Sequence, residues 1–228
     1  IESTIPPMTS REVVTPILEV SKLRVGRDIF IAHCPERLFP GDTINELVHN
    51  DRILGGHSEQ ATRRSSEIYK KFSKGTFFET DIVTAEFVKL IENTYRDVNI
   101  ALANELYLVA DRLNISVTQA IELANRHPRV KILSPGIGVG GHCIPIDPWF
   151  ITEFAPEEAT LIPAARRIND NMPKVIAGKV RKLISELDNP LIGVCGVAYK
   201  PNVRDQRESP AWKIIEESEL PILYKRLN

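Results

Sequence analysis

A chain of 228 residues with 43% hydrophobic content can bury one large core or two small ones, and its 29 basic and 30 acidic residues nearly cancel. That balance argues against a protein built to coat nucleic acid or an anionic membrane, so any anionic ligand must be held by a local cluster of cations. Three cysteines, Cys34, Cys143 and Cys195, lie far apart without a Cys-x-x-Cys pair, which argues against a disulfide frame or zinc knuckle; no stretch reads as a membrane span or secretion signal, so the cytoplasm is the expected location.

Residues 1–7 read as the tail of a strand entering a turn, as though the chain began in mid-fold. A helix is expected next, with Thr9 and Glu12 spaced as a capping box. Residues 28–34 alternate as a strand does, and residues 52–55 and 76–79 predict two more, separated by a helix over 59–72. Residues 1–80 are therefore expected to be α/β. From Asp81, a suitable N-cap, apolar residues recur at Val83, Phe87, Leu90, Ile91, Val98, Leu102, Leu106, Val109 and Leu113. That spacing predicts one amphipathic helix of roughly 33 residues, about 50 Å long, which suits a spine between domains or a subunit contact. Ser116 and Gln119 cap a shorter helix, and a long helical stretch over 161–187 is expected to be interrupted or kinked near Pro173. Residues 191–197 form a strand candidate, Ser209-Pro210 opens a helix with proline at its first position, and residues 221–224 make a last strand candidate. So few elements cannot cover both faces of a sheet. The expected fold is a central all-α region, 81–189, built on one long helix and flanked by incomplete Rossmann-like α/β units at 1–80 and 190–228.

The segment richest in chemistry is residues 134–149, with four glycines and three prolines around Cys143. It contains Gly-x-Gly-x-x-Gly at Gly136, Gly138 and Gly141, but the dinucleotide fingerprint needs a strand before it and a helix opening within it, and neither is expected here. The glycines leave a backbone whose amides can approach a ligand, and amides, a helix start or a cation would each favour thiolate over thiol at Cys143. The bland alternative is a small cysteine buried in a structural turn. Cys34 and Cys195 sit in apolar strand candidates and are expected in the core. On the long helix Lys89, Asn93 and Arg96 share one stripe and could cradle an oxyanion, although a solvated polar face has the same pattern. Arg126, His127 and Arg129 end the next helix, and Lys200, Arg204 and Arg207 fill a strand-to-helix loop suited to phosphate, unless they are simply a charged surface turn. None of the five histidines is paired at metal-ligand spacing, so no metal is expected.

These motifs, in this order, resemble the UDP-glucose/GDP-mannose dehydrogenase family across essentially the whole chain. The family's strand-end Ser-Thr-Val-Pro is similar to residues 3–6, its Pro-Glu pair to Pro35-Glu36, its lysine-and-asparagine helix to residues 85–93, and its Gly-x-Gly-Gly-x-Cys-x-Pro-x-Asp loop to residues 138–147. The resemblance implies Cys143 as nucleophile, Lys89 and Asn93 holding the oxygen of the reacting carbon, Asp147 moving protons and Glu36 orienting water. It implies sugar-nucleotide contacts at Arg37, Leu38, Arg96, His127, Arg129, Gly140 and Lys200, the His127 and Arg129 pair reaching a neighbouring subunit, with NAD contacts at Thr4 and Arg207. Ile146 between Pro145 and Asp147, Arg37 after Glu36, and residues 125–130 resemble the branch acting on UDP-N-acetyl-D-mannosamine; UDP-N-acetylglucosamine enzymes share much of that pattern, and UDP-glucose is a third candidate. The family's dinucleotide-binding glycines are not found in this sequence, so the chain by itself is expected to bind NAD poorly.

The implied reaction is a four-electron oxidation of a sugar alcohol to a carboxylate through a thioester on Cys143, in a homodimer or higher oligomer joined by the long helix. Two rivals stand beside it. One is a non-catalytic oligomerisation module that holds a nucleotide on its basic groups. The other is a cysteine hydrolase, which needs a histidine base aimed at Cys143; His142 is adjacent, but neighbouring side chains are expected to diverge.

Overall fold

The helix expected after residue 7 forms, but not by the capping box. The computed structural model, which describes residues 1–38, 42–201, 204–218 and 222–225 (the last four as backbone), has a π-helical turn at Ser10–Val14 leading into α1 (Thr15–Glu19). Thr9 is itself helical, with φ −54° and ψ −43°, whereas a capping side chain needs extended backbone. Its hydroxyl donates to the Pro6 carbonyl, and the Ser10 amide finds the buried Glu86 carboxylate 2.8 Å away. The Arg11 and Glu12 amides, which a Thr9 cap would have served, donate instead to Met8 O.

Residues 1 and 2 make the hydrogen bonds of a strand edge without being assigned as one: Ile1 N donates to Ala32 O, Cys34 N to Ile1 O and Glu36 N to Glu2 O. The strand expected over 28–34 shortens to β1 (Ala32–His33), because Asp28 N and the Asp28 carboxylate close a turn with Arg24. A helix that the sequence reading did not predict follows, α2 (Thr43–His49); Ile44, Leu47 and Val48 stand at helical spacing, but seven residues are too few for the period to repeat. Next come β2 (Arg52–Gly56), α3 (Glu59–Tyr69), capped by Ser58, and β3 (Phe77–Asp81). β2 lies between β1, antiparallel to it, and β3, parallel to it, and α3 crosses over between the parallel pair. Ile31, Cys34, Leu54, Ala61, Ile82, Ala85 and Leu90 are buried in this part of the chain.

Asp81 caps the long helix as expected, its carboxylate accepting from Val83 N at 2.9 Å and Thr84 N at 3.1 Å. That helix, α4, runs over Ile82–Arg112, 31 residues. It is followed by α5 (Val117–Ala124), where Ser116 Oγ accepts from Gln119 N, then α6 (Asp147–Phe154) and α7 (Leu161–Ile184), which continues through Pro173 without a break. β4 (Ile192–Cys195), α8 (Pro210–Ser218) and β5 (Ile222–Lys225) close the described chain; β4 and β5 pair in parallel and α8 packs on α7. Pro221, included in the last predicted strand, lies outside the described residues. Cys195 is exposed, contrary to expectation, because it shares with Leu191 and Gly193 the face of β4 that is uncovered.

The chain is thus mixed α/β with one long helix, and it divides into two compact units. The first is Ile1–Glu92 with Glu153–Pro156; the second is Asn93–Thr152 with Glu157–Asn228. Among the described residues no helix is long and apolar enough to cross a membrane, and no group of three or more His, Cys, Asp or Glu side chains could hold a metal ion.

Candidate active site

A row of amide side chains on α4 holds the cysteine loop from both ends. Asn93, Asp97 and Asn104 are four and seven residues apart, so they share a stripe of the helix, and all three are buried. Asn104 Oδ1 accepts from Gly136 N at 2.8 Å, before the cysteine; Asn93 Nδ2 donates to Asp147 Oδ2 at 2.5 Å, after it. Asn99 adds bonds to Leu133 N and Lys131 O. Between these anchors, the Cys143 carbonyl accepts from Ile146 N and Asp147 N, the turn that starts α6. Buried polar side chains are retained only when bonded: the partners of Asn93 and Asn104 are in the loop itself, whereas Asp97 pairs with Arg166 and Asn169.

The strand-to-helix loop before α8 packs on the other side. Gly141 N donates to Arg207 O at 3.2 Å, and a Cβ on Gly140 would lie 2.7 Å from both Tyr199 Cβ and Pro210 Cδ. A Cβ on Gly141, at φ +88°, would lie 2.9 Å from the Tyr199 ring. These two glycines are therefore needed for the close approach of one loop to another, a role the sequence reading had given to ligand access. Cys143 is half-buried, and its Sγ lies 3.1 Å from His142 Nδ1. The expected divergence of these neighbours is thus overturned: the turn at Gly141 swings the imidazole back onto the sulfur. Arg207 holds Asp205 through several hydrogen bonds, which lower the Asp205 carboxyl to about 2, with the charge on His142 acting in the same direction. The Arg207 guanidinium is raised, chiefly by Asp205 and to a lesser degree by the charge on Cys143.

The remaining predicted residues fall into the two units separately. In the first, the segments carrying Thr4 and Glu36, Arg37 and Leu38 run side by side, Glu36 accepting from Leu38 N. Arg37 pairs with Glu92 at 2.8 Å, one turn along α4 from the half-buried Lys89, and donates to Asp51 O. A cavity of about 480 Å³ in the same unit, lined by Arg11, His57, Ser58 and Asp81 among others, contains none of the predicted residues. In the second unit, Gly140, Cys143, Asp147, Asn93, Lys200 and Arg207 belong to the two packed loops or to the helix stripe that anchors them. Arg96, His127 and Arg129 are exposed, His127 Nδ1 accepting from Arg129 N.

Two family models match the chain in sequence order: the NAD binding domain of the UDP-glucose/GDP-mannose dehydrogenase family over residues 1–73, and the central domain of the same family over residues 83–171. The chain belongs to this family. A UDP-N-acetyl-D-mannosamine dehydrogenase of Methanocaldococcus jannaschii is 52% identical over 95% of the chain and 49% of its own length. The structure of a UDP-D-ManNAc dehydrogenase from Pyrococcus horikoshii superposes with a TM-score of 0.93 at 48% identity, covering 98% of the chain and 55% of that structure. A UDP-N-acetyl-mannosamine dehydrogenase from Staphylococcus aureus gives a TM-score of 0.90 at 45% identity, over 99% of the chain and 55% of that structure. The chain spans about half the length of the curated relatives it matches. The sequence reading weighed His142 only as the base of a cysteine hydrolase and passed over Tyr199 and Asp205. The glycine pair at 140 and 141 was the available signal for Tyr199, but nothing local announces Asp205.

Proposed function

We propose that the protein of which this chain forms part is a cytoplasmic, NAD-dependent enzyme that oxidises UDP-N-acetyl-D-mannosamine to the uronate through a thioester on Cys143. The observation that carries this reading is the anchoring of a half-buried thiol between Asn93 and Asn104 on a loop that also presents Asp147. In this reading residues 1–80 are the C-terminal part of a Rossmann-like NAD-binding domain, 81–189 a central helical and dimerisation domain, and 190–228 the start of the domain that binds the UDP-sugar. Support for the substrate comes from the relatives at about half identity, whose names carry it.

Thr4 presents a hydroxyl and Arg207 an exposed guanidinium, donor types that fit the ribose and phosphates of NAD. When bound, NAD accepts hydride from the sugar carbon. The chain's own residues do the rest. Cys143 attacks the aldehyde carbon. Lys89 and Asn93 stabilise the negative charge that gathers on the attached oxygen, a contribution worth several kcal/mol in a preorganised site. Asn93 spends one amide hydrogen on Asp147 and keeps a second for that oxygen. Asp147, held in one orientation by this bond, moves the proton, and Glu36 orients the water that hydrolyses the thioester. Arg37, Leu38, Arg96, His127, Arg129, Gly140 and Lys200 hold the nucleotide sugar. The α4 side chains Phe87, Ile91, Tyr95, Leu102 and Val109 are 40–55% exposed at helical spacing, which supports a homodimer or higher oligomer formed through this helix.

The test is a panel of nucleotide sugars incubated with NAD and the full-length protein. UDP-N-acetyl-D-mannosamine is expected to yield two NADH per sugar, and the Cys143→Ser variant none beyond the first oxidation. Preference for UDP-N-acetylglucosamine or UDP-glucose would move the substrate, and full two-NADH turnover by Cys143→Ser would remove the thioester.

A further inference from the structure

The side chains of His142 and Cys143 converge to 3.1 Å in a loop that has little freedom to let them part. Gly141 is pinned through its amide to Arg207 O and by the Tyr199 ring, while Cys143 O is fixed by the first turn of α6. The imidazole is exposed and can exchange protons with water, whereas the sulfur is half-buried and partly shielded from it. The groups around the pair are Asp205, Arg207 and Tyr199 from the loop before α8, and Asp147 at the start of α6. Their charges fall in a favourable order. Asp205 lies within electrostatic reach of His142, and Arg207 of Cys143, so an imidazolium would stand by a carboxylate and a thiolate by a guanidinium.

We propose that His142 is the proton acceptor for the Cys143 thiol, so that the sulfur enters the reaction as the thiolate of an imidazolium–thiolate pair. The S–H bond breaks, the proton passes to Nδ1 and the electron pair stays on sulfur. The sulfur then bonds to the aldehyde carbon while the carbonyl π pair moves to oxygen. When the thioester is hydrolysed and the C–S bond breaks, the same imidazolium stabilises the departing thiolate. The last two steps rest on the dehydrogenase reading; the proton transfer does not.

The rate of iodoacetamide alkylation at Cys143, read by peptide mass spectrometry between pH 5 and 10 on the full-length protein without substrate, tests it. A thiol of ordinary pKa, about 8.5, is only ~1% ionised at pH 6.5. Pairing with an imidazolium lowers that pKa by roughly a unit or more. Each unit gives about ten-fold more thiolate but a nucleophile weaker by about three-fold, a net gain of about three-fold at low pH. His142→Ala is therefore expected to react about three-fold more slowly than the parent at pH 6.5, and as fast or faster above pH 9. Profiles of parent and variant that stay parallel at all pH values overturn the proposal. Should the variant fail to fold, the parent decides alone, since a single rise centred near pH 8.5 has the same meaning. A protein that forms no NADH from any nucleotide sugar yet shows the crossing profiles keeps the acid–base pair and loses the dehydrogenase reading.

Discussion

Among the described residues each unit of the chain buries one arginine, and the two are neutralised by different means. Arg166, on α7 in the second unit, is 1% exposed and meets Asp97 of α4 at 2.5 Å and Asp170 one turn along its own helix. Asn169 donates to the same Asp97 oxygen and accepts from Asn104, which in turn holds Gly136. Arg52, on β2 in the first unit, is 7% exposed and lies with its guanidinium carbon 4.9 Å from the Tyr69 ring and 5.6 Å from the Phe72 ring. It donates to Leu47 O at 2.8 Å. One arginine is embedded in opposite charge, the other between π faces and a carbonyl. The charge-paired site sits under the candidate active loop, where a side chain must be aimed; the aromatic site sits beneath a sheet, where it has only to be filled.

Removing the cation should separate the two designs. Arg166→Met leaves Asp97, fully buried, without its counter-charge, and breaking a buried pair from one side costs about 3–5 kcal/mol. Thermal unfolding should register this as the largest loss among these variants, and replacing Asp97 as well, by Leu, should recover much of it. If the double variant were no better than the single one, the charge pairing would not be what holds α7 to α4.

The first unit should instead be the acid-sensitive one. His33 is fully buried with no hydrogen-bond partner for either ring nitrogen among the described residues, and burial lowers it from 6.5 to about 4. Its folded form is neutral while the unfolded form binds a proton below pH 6.5, so stability is complete above that pH and is lost as pH falls towards 4. The loss is at most roughly 3 kcal/mol. His33→Leu should flatten the decline measured by denaturant unfolding between pH 7 and 4.5; equal slopes would place the acid sensitivity elsewhere.

Arg52→Met should come next, at about 1–3 kcal/mol, because it removes cation–π contacts and the hydrogen bonds to Leu47 O and Cys34 Sγ but strands no buried carboxylate. A cost equal to that of Arg166→Met would erase the distinction between the units.

How far such features can be read in advance depends on how local they are. The Asp81 cap, the apolar period of α4 and the Ser209-Pro210 start of α8 are set by neighbours a few residues apart, and all were legible. So was the cysteine loop, whose glycines and prolines lie in one stretch. The Asp97 to Arg166 pair is 69 residues apart, and the arrangement of His142 against Asp205 depends on two loops packing together. No spacing rule reaches those. Helix α2 escaped for a different reason: its apolar residues Ile44, Leu47 and Val48 are at helical spacing, but over seven residues the period does not repeat.

Two helix starts with the same signature make the finest test of this point. Ser116-x-x-Gln119 and Thr9-x-x-Glu12 both carry the spacing of a capping box, but only Ser116 has the extended backbone, φ −76° and ψ 111°, that lets its oxygen accept from the amide three residues on. Ser116→Ala should therefore cost about 1 kcal/mol in unfolding free energy. Thr9→Ala loses only a hydroxyl bonded to Pro6 O on an exposed turn and should cost less, because the amide that a Thr9 cap would have served, Glu12 N, already donates to Met8 O. Reversal of that order would mean that the capping signature acts at Thr9 after all, and that the Met8 carbonyl is the dispensable partner.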